Sequence, residues 1–281
     1  MKKRLVGVLL TFALAGGVLA GCGSSAKSDS ASDNASSTSE TQADESGRTQ
    51  LIVGFDAEYP PYGYMDEDGE YTGFDLELAQ AVCDMEGWEL VKQPIDWSSK
   101  DGELNSGSID CIWNGFTMNG KEDDYEWSDA YVNNEQVIVV AKDSGIETLS
   151  DLSGKIVGVQ AASAALDVLT NEDYQKELGD TFSQLQQFAD YNVAFTELTT
   201  GSLDAVAIDI GVAKYQIEER GEGKYMILDE KLNSEQYGIG FKLGNTSLRD
   251  VVNADLHKLA EDGTVAELAE KYAIEDMICI E

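Results

Sequence analysis

Two rhythms of apolar and polar positions alternate from about residue 50 to residue 273. Short apolar runs predict strands at 51–55, 90–95, 136–141, 155–160, 182–188, 204–209, 226–228 and 237–241, with a further one opening at Ile109 and running through 111–113. Between them, apolar positions at helical spacing predict helices. Leu76, Leu78, Ala79, Val82 and Met85 give one face to a helix that opens at Gly73-Phe74-Asp75. Shorter helical patterns close near 104–107, span 149–154 and start near 162, and others cover 191–200, 212–218, 247–262 and 264–273. Tyr64-Met65 and Tyr71-Thr72 flank Asp68-Gly69, a hairpin signature. Pro60 and Pro61 make 56–62 an ordered extended loop. Strand–helix alternation predicts α/β lobes in which helices cover largely parallel sheets, and no internal repeat is evident.

The N-terminal pattern is different. Lys2, Lys3 and Arg4 precede an apolar run over 5–19, the form of a secretory signal. The run is short for a stable span and holds Gly7, Gly16 and Gly17. It ends in Leu19-Ala20-Gly21-Cys22, which resembles the bacterial lipoprotein box. That resemblance implies a cleaved signal at 1–21 and a lipidated Cys22, whose two acyl chains would anchor the protein to the bilayer. Residues 23–47 contain no aromatic residue, Leu, Ile or Val. Such a composition does not offset the entropy of ordering, so 22–47 is expected to be the lipidated Cys and a disordered tether.

Charge narrows the partners. The chain carries a formal −34, which becomes about −37 once Lys2, Lys3 and Arg4 leave with the signal. This disfavours nucleic acid, whose binding rests on Lys and Arg, and electrostatic attachment to anionic lipid. A single His and the absence of ligand spacing argue against structural zinc, and the glycine in 66–70 comes too early for a calcium loop. Beyond Cys22, Cys83, Cys111 and Cys279 are far apart, which leaves buried thiols and a single bridge both open.

An ordered set of short motifs then carries a family resemblance. It comprises Asp56, Tyr59-Pro60-Pro61-Tyr62, the run from Thr72-Gly73-Phe74-Asp75 to Ala79, Asp96-Trp97, Gly107 with Ile109-Asp110, Gly115-Phe116-Thr117, Trp127-Ser128 with Tyr131, Val157-Gly158-Val159-Gln160, Asp204-Ala205-Val206 with Asp209, Tyr237-Gly238-Ile239 and Asp262-Gly263-Thr264. Over 50–273 the chain resembles the family 3 extracellular solute-binding proteins of amino-acid ABC importers. The resemblance implies a two-lobed, type II periplasmic-binding-protein clamshell. Lobe one would be 48–137 plus 237–281, and lobe two 138–236. Two crossovers, near 134–138 and 236–239, would form the hinge. It further implies an extracytoplasmic monomer that takes up a polar amino acid or a cystine-like derivative and hands it to a membrane permease, without cofactor, metal or catalytic residues. A dehydratase on the same fold and a ligand-binding sensory module are the competing readings.

An amino acid brings an ammonium, a carboxylate and a variable side chain. The resemblance places Asp209 on the ammonium, where a capping role at a strand–helix junction is the plain alternative. It places the carboxylate on backbone N–H groups of the 160–164 turn, with Gln160, Ser163 and Ala164, because helix N-termini favour anions. Ala162 stands where many relatives have glycine. The arginine of the family pattern is missing: its position is Glu122, and the nearest cation is Lys121, either a substitute point charge or an exposed turn lysine. Asn114 and Gly115 would come to the cleft, where Gly115 lets backbone approach, and Thr117 would offer a hydroxyl. Tyr59 and Trp97 match positions that pack on the ligand side chain, with Tyr62 a looser candidate. Asp56 would read a polar or cationic side chain, or order the Pro-Pro loop. Trp113 and His257 are expected to be structural.

Overall fold

The computed structural model describes residues 47–221 and 223–281. The expected signal, Cys22 and the tether as far as residue 46 lie outside them. In chain order the first half holds β1 (Gln50–Phe55), β2 (Glu58–Tyr59), β3 (Gly63–Met65), β4 (Tyr71–Thr72), α1 (Phe74–Glu86), β5 (Glu89–Pro94), α2 (Lys100–Ser106), β6 (Cys111–Ile112) and β7 (Glu126–Trp127). The second half holds β8 (Val132–Ala141), β9 (Ile156–Gln160), α3 (Ala164–Thr170), α4 (Lys176–Gly179), β10 (Gln184–Phe188), α5 (Tyr191–Thr200), β11 (Ala205–Asp209), α6 (Ile210–Arg220), β12 (Tyr225–Ile227) and β13 (Asn233–Tyr237). The chain then returns through β14 (Gly240–Phe241), α7 (Thr246–Glu261) and α8 (Thr264–Lys271).

The two halves are built on separate sheets. The first is ordered β5-β1-β6-β14-β7, and the second β10-β9-β11-β8-β12 with β13 also on β8. The expectation of largely parallel sheets holds for one side of each. β5-β1-β6 and β10-β9-β11 are parallel, as helical crossovers require. β14 runs antiparallel to β6 and β7, and β8 runs antiparallel to β11, β12 and β13. β8 and β14 arrive from the other half with no crossover helix, so nothing forces them parallel. The apolar run 237–241 is also not one strand. Tyr237 ends β13 in the second sheet and Gly240 begins β14 in the first, with the Ile239 amide held by the Ser128 hydroxyl at 2.8 Å. The hairpin falls where expected, pairing Tyr64 with Thr72 across a turn that contains Gly69 at φ 85°.

Helix α1 buries Leu76, Leu78, Ala79 and Val82, each worth about 1.5–3 kcal/mol if large and fully buried, whereas Met85 is 42% exposed on the last turn before Gly87 turns the chain away. One apolar cluster runs from Leu51, Val53 and Phe74 through Tyr62 and Tyr237 to Tyr191 and Val206, so the two halves share packing. Trp97, Phe116, Tyr125 and Trp127 form a separate aromatic cluster in the first half. Cys83, Cys111 and Cys279 are all free thiols, the first two buried. Among the described residues no helix is long and apolar enough to cross a membrane.

Candidate functional site

Several loops that follow strands or open helices converge between the two sheets. Tyr59, Trp97, Gly115, Phe116, Thr117 and Lys121 from the first half face Gln160, Ala162, Ser163, Ala164 and Asp209 from the second. The space between them is about 300 Å3 to its mouth, yet only about 20 Å3 would admit the centre of a water molecule, so the walls are nearly in contact. A larger open hollow, which admits the centre of a water molecule over about 490 Å3, lies beside β8 and β13, bordered by Asn119, Asn134, Lys214, Glu235 and Asp276 among others. The smaller cleft is the better site, because facing residues of both halves enclose it and buried Thr117, Gln160, Ser163 and Asp209 line it, with Asn134 and Glu235 lying between it and the hollow.

Asp209 ends β11 and is 2% exposed. Asn134, Gln136 and Tyr237 all donate to its Oδ1, at 2.7, 2.7 and 2.5 Å, and Tyr59 also hydrogen-bonds the carboxylate. Its pKa is nevertheless raised, because burial outweighs those donors. Glu235, on β13, was not singled out by sequence. It is 5% exposed and accepts from Thr117 at 2.8 Å and from the same two amides, Asn134 at 2.8 Å and Gln136 at 2.7 Å. Burial and the facing Asp209 push its pKa up too. Two buried carboxylates thus share two amide donors, and neither has an ion-pair partner among the described residues. Such a pair creates a field that favours a cation beside it.

On the facing wall the polar loop after β6 is held from below. Asp75, fully buried on α1, accepts from the Gly115 amide at 2.6 Å and the Tyr131 hydroxyl at 2.9 Å, and burial pushes its pKa up to about 7. Gly115 itself sits at φ 57°, and a Cβ there would come within 3.0 Å of the Tyr59 ring. Glycine is therefore required twice over, for conformation and for space. Asn114 is 1% exposed and accepts from the Asp56 amide at 2.9 Å, so its side chain braces the Asp56 loop behind the cleft wall. Asp56 accepts from Gln160 across the halves at 2.6 Å and from the Glu58 amide at 2.9 Å, and burial lifts its pKa to about 6. Gln160 thereby borders the cleft with its side chain already engaged. Tyr62 is buried behind Tyr59, its ring 5.9 Å away, and does not border the cleft.

The turn between Thr117 and β7 holds the position at which the resemblance implies an arginine. Glu122 points out, taking the Gly120 amide at 3.0 Å, while Lys121 borders the cleft with its Nζ 5.9 Å from the Phe116 ring. The Trp127 indole donates to the Lys121 carbonyl at 2.9 Å and fixes that turn. Opposite, the Ser163 hydroxyl donates to the Gln160 carbonyl at 2.8 Å and accepts from the Leu166 amide at 3.2 Å as a helix cap. It is thus spent on the turn. Among the described residues no backbone carbonyl outside the helix engages the Ala162 and Ala164 amides, and both residues border the cleft. Ala162 adopts φ 57°, a left-handed conformation that costs a residue with a Cβ about 1–2 kcal/mol. Ala162→Gly is therefore expected to stabilise the protein by about 0.5–1 kcal/mol after the extra entropy of the unfolded glycine, readable as a higher urea midpoint.

Trp97 is aimed by Asp96, which caps the turn through the Ser98 amide at 2.9 Å. His257 is far from the cleft, paired with Asp129 at 2.8 Å, and Trp113 is buried core. No group of His, Cys, Asp and Glu among the described residues is placed to hold a metal ion.

Residues 51–275 match the bacterial extracellular solute-binding proteins, family 3. The arginine-binding extracellular protein ArtP of Bacillus subtilis is 30% identical over 97% of this chain and 98% of its own. The L-cystine-binding protein TcyJ of Escherichia coli K12 is 27% identical over 80% and 83%. Among solved structures, an ABC uptake transporter substrate-binding protein from Streptococcus pneumoniae with bound histidine superposes with a TM-score of 0.77, at 34% identity over 82% of this chain and 94% of that one. These relatives are binding proteins, not enzymes. With its two-lobed mixed α/β architecture and interlobe cleft, the chain belongs to the bacterial extracellular solute-binding proteins, family 3.

Proposed function

We propose that the protein captures a polar amino acid, or a cystine-like derivative, in the interlobe cleft and delivers it to the membrane permease of an ABC importer. The observation that carries this reading is the opposition of charge across the cleft. Buried Asp209, with Glu235 behind it, lies on the second-half wall together with the Ala162 and Ala164 amides, and Lys121 lies on the first-half wall that faces them. A zwitterion spans that arrangement, whereas a sugar leaves both charges unpaired. Asp209 would take the ammonium, and Lys121, Thr117 and the Ala164 turn the carboxylate. Tyr59 and Trp97 would flank the side chain, with Asp56 and Gln160 closing that end. The antiparallel ribbon of β8 and β13, in which Asn134 pairs with Glu235, is the hinge in this account. Lobe one is then 48–137 plus 237–281 and lobe two 138–236. The nearly shut cleft would admit ligand only by bending there, as in other hinge-closing proteins.

Lipidation of Cys22 would hold the monomeric protein at the outer face of the membrane, with 22–47 as its tether and 1–21 as the signal. The relatives' names support amino acids and cystine as the ligand class. A thermal-shift screen of the common amino acids, cystine and a set of sugars tests the reading. At least one amino acid is expected to raise the melting temperature by several degrees, since ligand at about 100 times its Kd stabilises by about 2.7 kcal/mol. A screen in which only sugars act, or nothing does, would sink it.

A further inference from the structure

Lys100 begins α2 and reads in sequence as a surface residue beside Asp101. It is instead 6% exposed. Its ammonium lies 5.1 Å from the Trp97 ring centroid and 6.0 Å from that of Phe116, and Lys121 approaches Phe116 at 5.9 Å. Among the described residues no carboxylate lies within 4.0 Å of it. Asp101 is occupied by the Tyr125 hydroxyl. The ammonium has only two carbonyls, Trp97 at 3.5 Å and Ala162 of the opposite half at 3.4 Å, both beyond ordinary hydrogen-bond length. Burial pushes its pKa down, the attraction of Asp101 opposes that fall in part, and the charge of Lys121 adds to it.

A buried ammonium without an anion is costly, and ring faces compensate it only in part. Trp97, Phe116, Lys121 and Ala162 all border the cleft, so Lys100 stands one contact behind its wall. We propose that Lys100 is a carboxylate-binding residue of the cleft, which with Lys121 forms a two-lysine clamp around Phe116 and supplies the cation that position 122 lacks. Two features make this more than a packing accident. The ammonium is aimed at the opposite half, not at solvent. Lys121 repels it, and an anion bound near both ammoniums would offset that repulsion. The inference rests on the amino-acid reading above. The carboxylate is either the α-carboxylate or one on the ligand side chain.

The test compares wild type with Lys100→Met and Lys100→Arg, titrated with the amino acid that gives the largest thermal shift in wild type. Lys100→Met is expected to weaken that ligand at least tenfold while leaving the unliganded melting temperature unchanged or higher, because an unpaired buried charge has gone. Lys100→Arg keeps the charge and is expected to retain more affinity than Lys100→Met. Titrating the α-amide, and the side-chain amide where the ligand is acidic, separates the sources: the analogue that is indifferent to Lys100→Met has lost the carboxylate that Lys100 holds. Wild-type affinity in Lys100→Met overturns the proposal and leaves the amino-acid reading standing. So does an equal loss in both variants with a lowered unliganded melting temperature, the mark of a structural lysine. Absence of any amino-acid shift in wild type overturns both.

Discussion

Asp209→Ala is expected to abolish the thermal shift given by the best amino-acid ligand while the protein stays folded. A charge-assisted hydrogen bond is worth about 1.5–3 kcal/mol, and removing one partner of a buried pair costs about 3–5 kcal/mol because the other charge is stranded. An ammonium buried against the methyl group of the substituted alanine would be stranded in that way, so affinity should fall by at least about a hundredfold. The fold is better placed to tolerate the change. Asp209 repels Glu235 across two shared amides, and losing one carboxylate relieves that repulsion. Against this, the Tyr237 and Tyr59 hydroxyls and one bond from each amide lose their acceptor. The unliganded melting temperature should therefore move little. Asp209→Asn separates charge from shape, since its amide oxygen still accepts from Tyr237, and it should bind nearly as poorly as the alanine variant. Unchanged affinity in either variant would remove Asp209 from the site.

The second large effect is on stability against pH. Burial raises the carboxyls of Asp56 to about 6 and Asp75 to about 7, and Asp209 and Glu235 are raised as well. A carboxyl raised in the folded state keeps its proton where the unfolded chain has lost it. The unfolded state therefore gains relative to the folded one as pH climbs from the ordinary carboxylate range to the raised value, at about 1.4 kcal/mol per pH unit for each such proton. His257, raised by Asp129, acts with the same sign. The exposed carboxylates held low, such as Asp129 and Asp96, act in the opposite sense but only below their ordinary range. Unliganded protein should thus melt at a higher temperature at pH 5 than at pH 7.5. Ligand should behave oppositely, because an ammonium needs ionised Asp209, so the ligand-induced shift should shrink toward pH 5. Asp75→Asn should flatten the first profile and leave the second. A melting temperature that rises steadily from pH 5 to 7.5 without ligand would contradict the burial account.

What the sequence revealed follows from how local each signal is. Asp209 was named through the family resemblance, since its place at the end of an apolar run before a helix fits a capping residue equally well, and the structure buries it on the cleft wall. Gly115 and Thr117 were named through the Gly115-Phe116-Thr117 motif of the resemblance, and both border the cleft. Glu235 and Asp75 were not readable as parts of the site. Glu235 meets Thr117 across 118 residues of chain, and Asp75 meets Gly115 across 40, and no period or spacing records such meetings. Lys100 was not readable either, since its chain neighbours Ser98, Ser99 and Asp101 are polar, yet it is buried beside Trp97 at the start of α2. Strand direction was hidden for the same reason. Periodicity marks a strand but not its partner, so the antiparallel β8 and β14 could not be told from parallel ones, and the apolar continuity of 237–241 concealed a change of sheet.

The central claim is that the cleft reads both charges of an amino acid at once. Calorimetric titration of the wild-type protein with the best ligand, its decarboxylated amine and its deaminated acid tests that most directly. The account predicts one site per chain for the amino acid and at least about a hundredfold weaker binding for both analogues. An amine or an acid that binds as tightly as the parent amino acid would contradict it.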